Sequence, residues 1–485
     1  MKTLYQYQKE TVDKFSNQVA VLDASEMGTG KTFVASELDM IRREQGKGPT
    51  LIIAPLSGTM NTWRKHYKEQ YPHLKGIVCD SKNRTKFVRG LARTDWYNYY
   101  IIHWDVLHRE LGSLNGVRWN HIIADEAHRT KNRKAQTTRA LKRLTTRYKS
   151  ALSGTPVTNR PQDLWSILNW LYPSKWNGYW KFYERYCEYT IEYPSGYHKF
   201  KGVQNYEELQ ELIDPFFVRH LKRSPCCPHH PQGVTPWLPD KTYADPIWVD
   251  LTPKQHRSYD AMSKNMLAWV GDQLDKPLVA GVAIAKLVRL QQLALAHADI
   301  DEDWSVILTE PSSKLDALME LIKDNEGEQI VVFSQFSKII KLLSARLKKS
   351  KIPSGIFTGD TPARDRERIV QKFQAGKLRV FAGTIKAGGV GLDLFSASTV
   401  VFLDRSWSPA ENLQSEDRLW RIGQKNSVTV YDIMARDTVD LGRRQAIQAK
   451  WNWIQELLGD PREKQLNNQD LVDDATALAR QIAGF

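Results

Sequence analysis

The chain has 485 residues, 41% hydrophobic and 26% charged, with 69 Lys and Arg against 55 Asp and Glu, a balance that supports sizeable cores and argues against global disorder. A formal net charge of +14 suits a polyanionic partner, and four cysteines are too few for a disulfide scaffold. No apolar run approaches the ~20 residues of a membrane span and the segment Met1–Gln6 carries no secretory signal, so an intracellular protein without a membrane partner is expected.

From the N-terminus, the first apolar run is Val19-Ala20-Val21-Leu22, followed by a glycine-containing turn and a helical pattern. Leu51–Ala54, Tyr100–Ile102 and His121–Ala124 repeat the theme. Residues 165–200 are dense in Trp and Tyr, and 224–233 are rich in breakers, which predicts an exposed connection. Residues 253–323 read as helical. A second set of runs follows at Ile330–Phe333, Arg379–Ala382, Thr399–Leu403 and Val428–Tyr431, and the sequence after Leu441 reads as charged amphipathic helix. Runs this apolar, without alternation, predict strands buried on both faces, hence parallel sheets covered by helices. Two sets predict two α/β domains: residues 1–236 with an aromatic-rich helical insertion at about 160–222, and residues 237–445 with a helical insertion at about 253–323. A helical tail, 446–485, is expected after them.

The strongest local signal is Ser25-Glu26-Met27-Gly28-Thr29-Gly30-Lys31-Thr32, set between a strand and a helix. Glycines there let consecutive N–H groups and the helix N-terminus converge on phosphate oxygens, with Lys31 reaching the β- and γ-phosphates and the Thr32 hydroxyl available to Mg²⁺. The second is Asp125-Glu126-Ala127-His128, directly after a buried run. A carboxylate at a strand tip is placed to hold Mg²⁺, and Glu126 to orient or deprotonate an attacking water; alone, the tetrapeptide also reads as an acidic helix start. The third is Gln414 to Gln424, in which Arg418 and Arg421, three apart, would share a helix face and suit bidentate phosphate contact; a solvated charged helix face is the competing reading. Cys226-Cys227 with His229-His230 lacks the spacers of a tetrahedral zinc site, with Cys187 the one candidate helper.

In order along the chain, these motifs resemble those of superfamily 2 helicase-type ATPases of the Swi/Snf branch, DEAH-motif translocases of double-stranded DNA, from Tyr5 to about Asp440. Tyr7-Gln8 resembles the adenine-reading motif, Glu26 to Thr32 the first nucleotide motif, and Ala54-Pro55-Leu56-Ser57 with Asn61 and Trp63 the motif whose loop touches the DNA backbone. Asp125–His128 with Lys131-Asn132 resembles the magnesium motif and Ser153–Asn159 the coupling motif. In the second half, Val332–Phe336, Gly359-Asp360-Thr361, Thr384–Asp393, Ser406–Pro409 and Gln414–Gln424 follow in the family's order, and the ending Arg421-Ile422-Gly423-Gln424 is similar to the Swi/Snf branch rather than to RNA helicases with the same tetrad. Ser25, Asp393 and Trp420 depart from the family's usual aspartate, asparagine and histidine without removing a phosphate, metal or arginine group.

The resemblance implies two tandem RecA-like lobes with parallel sheets, and ATP with Mg²⁺. Nucleotide contacts are expected from Gln8, Glu26, Met27, Gly28, Thr29, Gly30, Lys31, Thr32, Gly391 and Asp393, with Thr32 and Asp125 at the metal. Catalytic roles fall to Lys31, Glu126, Gln414, Arg418 and Arg421, and DNA-backbone contacts to Ser57, Gly58, Arg364, Thr384 and Lys386. The implied activity is a DNA-dependent ATPase moving along duplex DNA without sequence preference, as a monomer or weak oligomer, with forked or branched DNA as further partners and a bacterial or phage-infected cytoplasm as the setting. A strand-separating DNA or RNA helicase, and a passive DNA-binding scaffold with a decayed ATPase, are the competing expectations; intact Lys31, Thr32, Asp125, Glu126, Arg418 and Arg421 argue against the scaffold.

Overall fold

The computed structural model describes residues 3–460 apart from 56–57, 81, 94, 193–196, 225–229, 273–279, 301–305 and 389–391. Two compact units divide it: residues up to 188 with 202–237 and the stretch from 453, and residues 189–201 with 238–452.

The first unit is built on a wholly parallel sheet of seven strands: β1 (Ala20–Asp23), β2 (Thr50–Ala54), β3 (Gly76–Val78), β4 (Tyr99–His103), β5 (Trp119–Asp125), β6 (Thr146–Leu152) and β9 (Phe217–Val218). A separate two-stranded sheet, β7 (Cys187–Glu192) with β8 (Tyr197–Val203), comes before β9 in the chain. The order in the large sheet is β3-β4-β2-β5-β6-β1-β9. Every residue of β1, β2, β4 and β5 is buried, which the continuous apolar runs anticipate. Leu51, Ile52 and Ile53 are fully buried, and each such side chain contributes roughly 1.5–3 kcal/mol on leaving water. Strand β6, Thr-Arg-Tyr-Lys-Ser-Ala-Leu, has no apolar run to announce it. Its polar half is held by tertiary partners: Lys149 Nζ donates to the Trp170 carbonyl at 2.7 Å, and Arg147 Nη1 donates to the Gln45 carbonyl at 2.6 Å.

The sheet of the second unit is also parallel throughout. It contains β10 (Lys241–Tyr243), β11 (Ile247–Val249), β14 (Ile330–Ser334), β15 (Ser354–Phe357), β16 (Val380–Thr384), β17 (Thr399–Phe402) and β18 (Val428–Ala435), in the order β10-β18-β17-β14-β16-β15 with β11 also on β18. An antiparallel pair, β12 (His297–Ile300) with β13 (Val306–Thr309), lies within the stretch 253–323.

That stretch, expected to be helical, therefore holds the helices Pro253–Asp272, Ala280–Leu295 and Ser313–Asp324 and also a hairpin, because Val306 and Leu308 alternate inward onto the core around Leu315 and Ile339. Likewise the aromatic-rich segment 160–222 contains β7, β8 and the sheet strand β9 beside its helices. The chain's last described helix is Val439–Leu458, and most of the expected tail lies outside the described residues. No helix among the described residues is long and apolar enough to cross a membrane.

Candidate nucleotide site and arginine segment

Strands β1, β6 and β5 are adjacent, and their C-terminal ends are in register: Asp23 and Asp125 both pair with Leu152. Three loops leave this one edge, carrying the residues after Asp23, after Asp125 and after Leu152. The C-terminal edge of an open parallel sheet is where such folds bind ligands.

The first loop turns into the helix Lys31–Gln45 through Gly28 (φ 81°) and Gly30 (φ 83°), left-handed conformations that favour glycine. A Cβ on Gly30 would stand 2.4 Å from Gln8 Nε2, so the side chain is excluded by packing as well. Gln8 is buried, and its amide donates to the Thr29 carbonyl at 2.9 Å, as does the Tyr7 hydroxyl at 2.7 Å. The predicted adenine-reading pair thus braces the phosphate loop from behind. Lys31 Nζ donates to the carbonyls of Ser25 (2.6 Å) and Glu26 (2.9 Å), curling over the loop where phosphate oxygens offer stronger acceptors. Thr32 follows in the first turn of the helix.

Asp125 ends β5 with its carboxyl buried. Burial first and neighbouring Glu126 second push it up to about 6, while a 2.8 Å hydrogen bond from Trp63 Nε1 and the charge of Lys31 pull it back. Glu126 is in the left-handed region (φ 53°), a strain of the kind stored at functional positions, and its Oε2 is 3.3 Å from His128 Nδ1. His128 Nδ1 also bonds Ser153 Oγ at 3.1 Å, and Lys131 Nζ bonds Thr158 Oγ1 at 3.2 Å. The magnesium and coupling motifs are therefore wired together within the first unit. A Cβ on Gly154 would fall 2.6 Å from Met27 Cγ and 3.5 Å from Lys31 Nζ, so the third loop closes on the first. Two left-handed glycines, a lysine and a buried carboxylate short of positive charge fit a Mg²⁺–triphosphate group, and Thr32 and Asp125 are the residues that would hold the metal.

Several residues here escaped sequence reasoning. Asp163 Oδ2 accepts from the backbone N–H groups of Thr158, Asn159 and Arg160 and from the Thr158 hydroxyl at 2.7–3.3 Å, freezing the end of the coupling motif. Arg219 Nη1 donates to the carbonyls of Ala24 (2.6 Å) and Gly154 (3.0 Å). Glu26 Oε2 accepts from the Lys222 N–H at 2.6 Å. The Asp163 contacts are local and could have been read from an aspartate three to five residues after the motif, whereas those of Arg219 and Glu26 join segments far apart in the chain and have no local pattern.

In the second unit, Gln414 lies in the helix Pro409–Glu416, but Arg418 and Arg421 follow it in successive turns and share no helix face. The correction has a physical cause: the Arg418 carbonyl accepts from the Leu394 N–H at 3.0 Å, and Trp420 Nε1 donates to the Pro239 carbonyl at 2.7 Å, which draws the chain out of the helical ladder. Arg418 is buried, whereas Arg421 is half-buried and pairs with Asp393, the residue expected at the nucleotide. Glu416, just before, is buried against Lys241 (3.0 Å), Arg405 (2.8 Å) and the Tyr243 hydroxyl (2.7 Å) and pins the segment.

Of the DNA-contact candidates, Gly58 opens the helix Gly58–Gln70, Arg364 is exposed in the helix Ala363–Gln374, Thr384 ends β16 and Lys386 is exposed just after it. Ser57 and Gly391 lie outside the described residues, as do Cys226, Cys227 and His229 of the zinc candidate. Cys187 is buried, with Sγ 3.5 Å from Gln162 Oε1, and no metal-ligating cluster of three or more His, Cys, Asp or Glu occurs among the described residues.

Comparison with known proteins agrees with the motif order. The SNF2-related domain matches residues 7–298 and the helicase conserved C-terminal domain residues 313–423. The chain is similar to an uncharacterized ATP-dependent helicase of Mycoplasma genitalium, 28% identical over 452 residues covering 91% of this chain and 41% of that protein. It is also similar to the ISWI chromatin-remodeling complex ATPase of Saccharomyces cerevisiae, 26% identical over 498 residues covering 97% of this chain and 42% of that one. The chain spans less than half the length of these curated relatives. Among solved structures it resembles the Sulfolobus solfataricus SWI2/SNF2 ATPase core in complex with dsDNA, at 26% identity, 94% and 93% coverage and a TM-score of 0.43. With its first three-fifths matched by one domain and the helicase C-terminal domain following, the chain belongs to the SNF2-related family of ATPases.

Proposed function

We propose that this chain is an ATPase stimulated by nucleic acid, and that it uses ATP hydrolysis to move along double-stranded DNA by gripping phosphates. The observation that carries the reading is the convergence of Lys31, Asp125 and the Gly154 loop on one edge of the first sheet. Relatives named as ATP-dependent helicases and remodelling ATPases support it.

In this reading the loop Glu26–Thr32 binds the triphosphate, with Gln8 behind it, and Lys31 exchanges its two carbonyl acceptors for phosphate oxygens. A magnesium ion held by Thr32 and Asp125 would neutralise charge on the β- and γ-oxygens. Glu126 takes a proton from the attacking water. Turnover also requires Arg418 and Arg421 of the second unit, since arginines at a transferring phosphoryl are worth ~10³–10⁵ in rate. The path His128–Ser153 then carries the state of the γ-phosphate to the coupling motif.

The test is ATPase rate measured side by side with blunt duplex, single-stranded DNA, forked DNA and RNA. Stimulation by duplex, lost in Lys31→Ala, is expected; a rate unmoved by any nucleic acid overturns the reading. Glu126→Gln should hold ATP without turnover and leave DNA binding intact. Robust strand separation on a blunt duplex would instead mark an unwinding helicase.

A further inference from the structure

Between Glu126 and Asp163 the chain has no acidic residue and ten Lys or Arg. Some of these cations have structural tasks: Arg129 pairs with Asp105 at 3.7 Å, and Lys149 serves the Trp170 carbonyl. Arg133, Lys134, Arg139, Lys142 and Arg143 make no ion pair among the described residues. Three of them are ordered by one element. In the helix Gln136–Arg143 the inner face is Thr138, Ala140 and Leu141, which leaves Arg139, Lys142 and Arg143, spaced three and four apart, along another side.

This basic side runs into aromatic rings. Lys142 Nζ is 4.5 Å from the centroid of Trp165, and the Arg133 guanidinium is 4.2 Å from that of Tyr179. Trp165 and Tyr179 meet edge to face at 5.2 Å, and Tyr179 meets Trp180 at 5.3 Å. Trp180 is 53% exposed, a large apolar surface one ring away from the Arg133 guanidinium. Burial first and Arg133 second push Lys142 down to about 8. A row of cations fits a phosphodiester backbone. The exposed ring of Trp180 fits an unstacked base, whose face a closed duplex does not offer.

Building on the function proposed above, we propose that this face of the first unit binds an unpaired strand of nucleic acid, separately from the duplex track, so that the favoured substrate has a single-stranded arm. An acidic peptide would use the cations but gain little from flat ring stacking, and it is the alternative that the test must separate.

The experiment uses the full chain without ATP, reading fluorescence anisotropy of labelled oligo-dT of about twenty nucleotides and of a blunt duplex. Trp180→Ala removes the exposed ring, and Arg139→Glu with Arg143→Glu reverses two exposed charges. Each variant should weaken oligo-dT binding by about tenfold, given ~1–3 kcal/mol per stacked base, and keep blunt-duplex affinity and duplex-stimulated ATPase within about twofold. The forked-DNA advantage in ATPase rate should disappear in both. Unchanged oligo-dT affinity overturns the proposal, as does a parallel loss of duplex binding, which would make this face part of the duplex track. Equal competition by polyglutamate overturns it in favour of an acidic protein partner. If duplex fails to stimulate the unaltered chain while oligo-dT binding still depends on Trp180, the preceding functional reading fails and this one stands.

Discussion

Arg219 and Asp460, 241 residues apart, form a bidentate ion pair, Nε to Oδ1 at 2.9 Å and Nη2 to Oδ2 at 2.6 Å, with both side chains more than nine-tenths buried. The remaining nitrogen of the same guanidinium reaches the carbonyls of Ala24 and Gly154, which flank the phosphate loop. Asp460 therefore neutralises the cation that spaces two walls of the candidate nucleotide site.

Removing Asp460 leaves a buried guanidinium uncompensated, a change that typically costs about 3–5 kcal/mol. Asp460→Ala should lower the urea midpoint of the first unit and raise the KM for ATP several-fold, with kcat changing less. Asp460→Glu should restore most of both, while Arg219→Lys, which keeps the charge and loses the fork, should not. Steady-state kinetics beside urea unfolding separate the site effect from general destabilisation.

Trp63 is fully buried and holds Asp125 through its indole N–H at 2.8 Å. Trp63→Phe keeps most of the apolar packing and removes one hydrogen bond to a carboxylate, worth roughly 1.5–3 kcal/mol. The variant should lose about that much unfolding free energy, read from urea unfolding, and need more Mg²⁺ for half-maximal ATPase, read from a Mg²⁺ titration at fixed ATP. A Mg²⁺ requirement equal to that of the parent would show that the indole only packs.

A buried charge network gives the first unit a pH dependence. His121 Nε2 is 2.5 Å from Arg42 Nη1 and 3.0 Å from Ser150 Oγ, and its Nδ1 faces Asp39 at 3.2 Å. Burial first, then the Arg42 charge, push the imidazole down to about 4, so it is neutral with Nε2 accepting from arginine. The unfolded imidazole titrates near 6.5 and binds protons more readily than the folded one. Stability is therefore complete above about pH 6.5 and falls as pH drops towards 4, by on the order of 3 kcal/mol from this group. Urea midpoints from pH 7 to 4 should show that slope, and His121→Asn, though less stable at pH 7, should flatten it.

Arg364 and Lys386 are exposed side chains on the second unit, suited to phosphate contact. Arg364→Ala and Lys386→Ala should each weaken duplex binding alike across sequences and reduce the slope of log affinity against log salt by about 1. Anisotropy titrations at several salt concentrations read this directly, and an unchanged slope removes the residue from the DNA track.

All eight apolar runs marked in the sequence became strands of the two parallel sheets, because strands covered on both faces are mostly apolar and so announce themselves. Strand β6 was hidden, since half of its residues are polar and find partners only in the folded molecule. The same division holds for the site. Glycines with positive φ, the phosphate-loop lysine and the strand-tip carboxylate were legible locally, because their chemistry is fixed by neighbours a few residues away. The helix expected to carry Arg418 and Arg421 was overruled by two long-range hydrogen bonds, from Leu394 to the Arg418 carbonyl and from Trp420 to Pro239. Sequence alone determined the two sheets and singled out the candidate phosphate-handling groups. Tertiary structure alone decided that Arg219 and Asp460 meet, that His128 joins Ser153, and that Arg133 and Lys142 end over Tyr179 and Trp165, since none of these contacts has a local pattern.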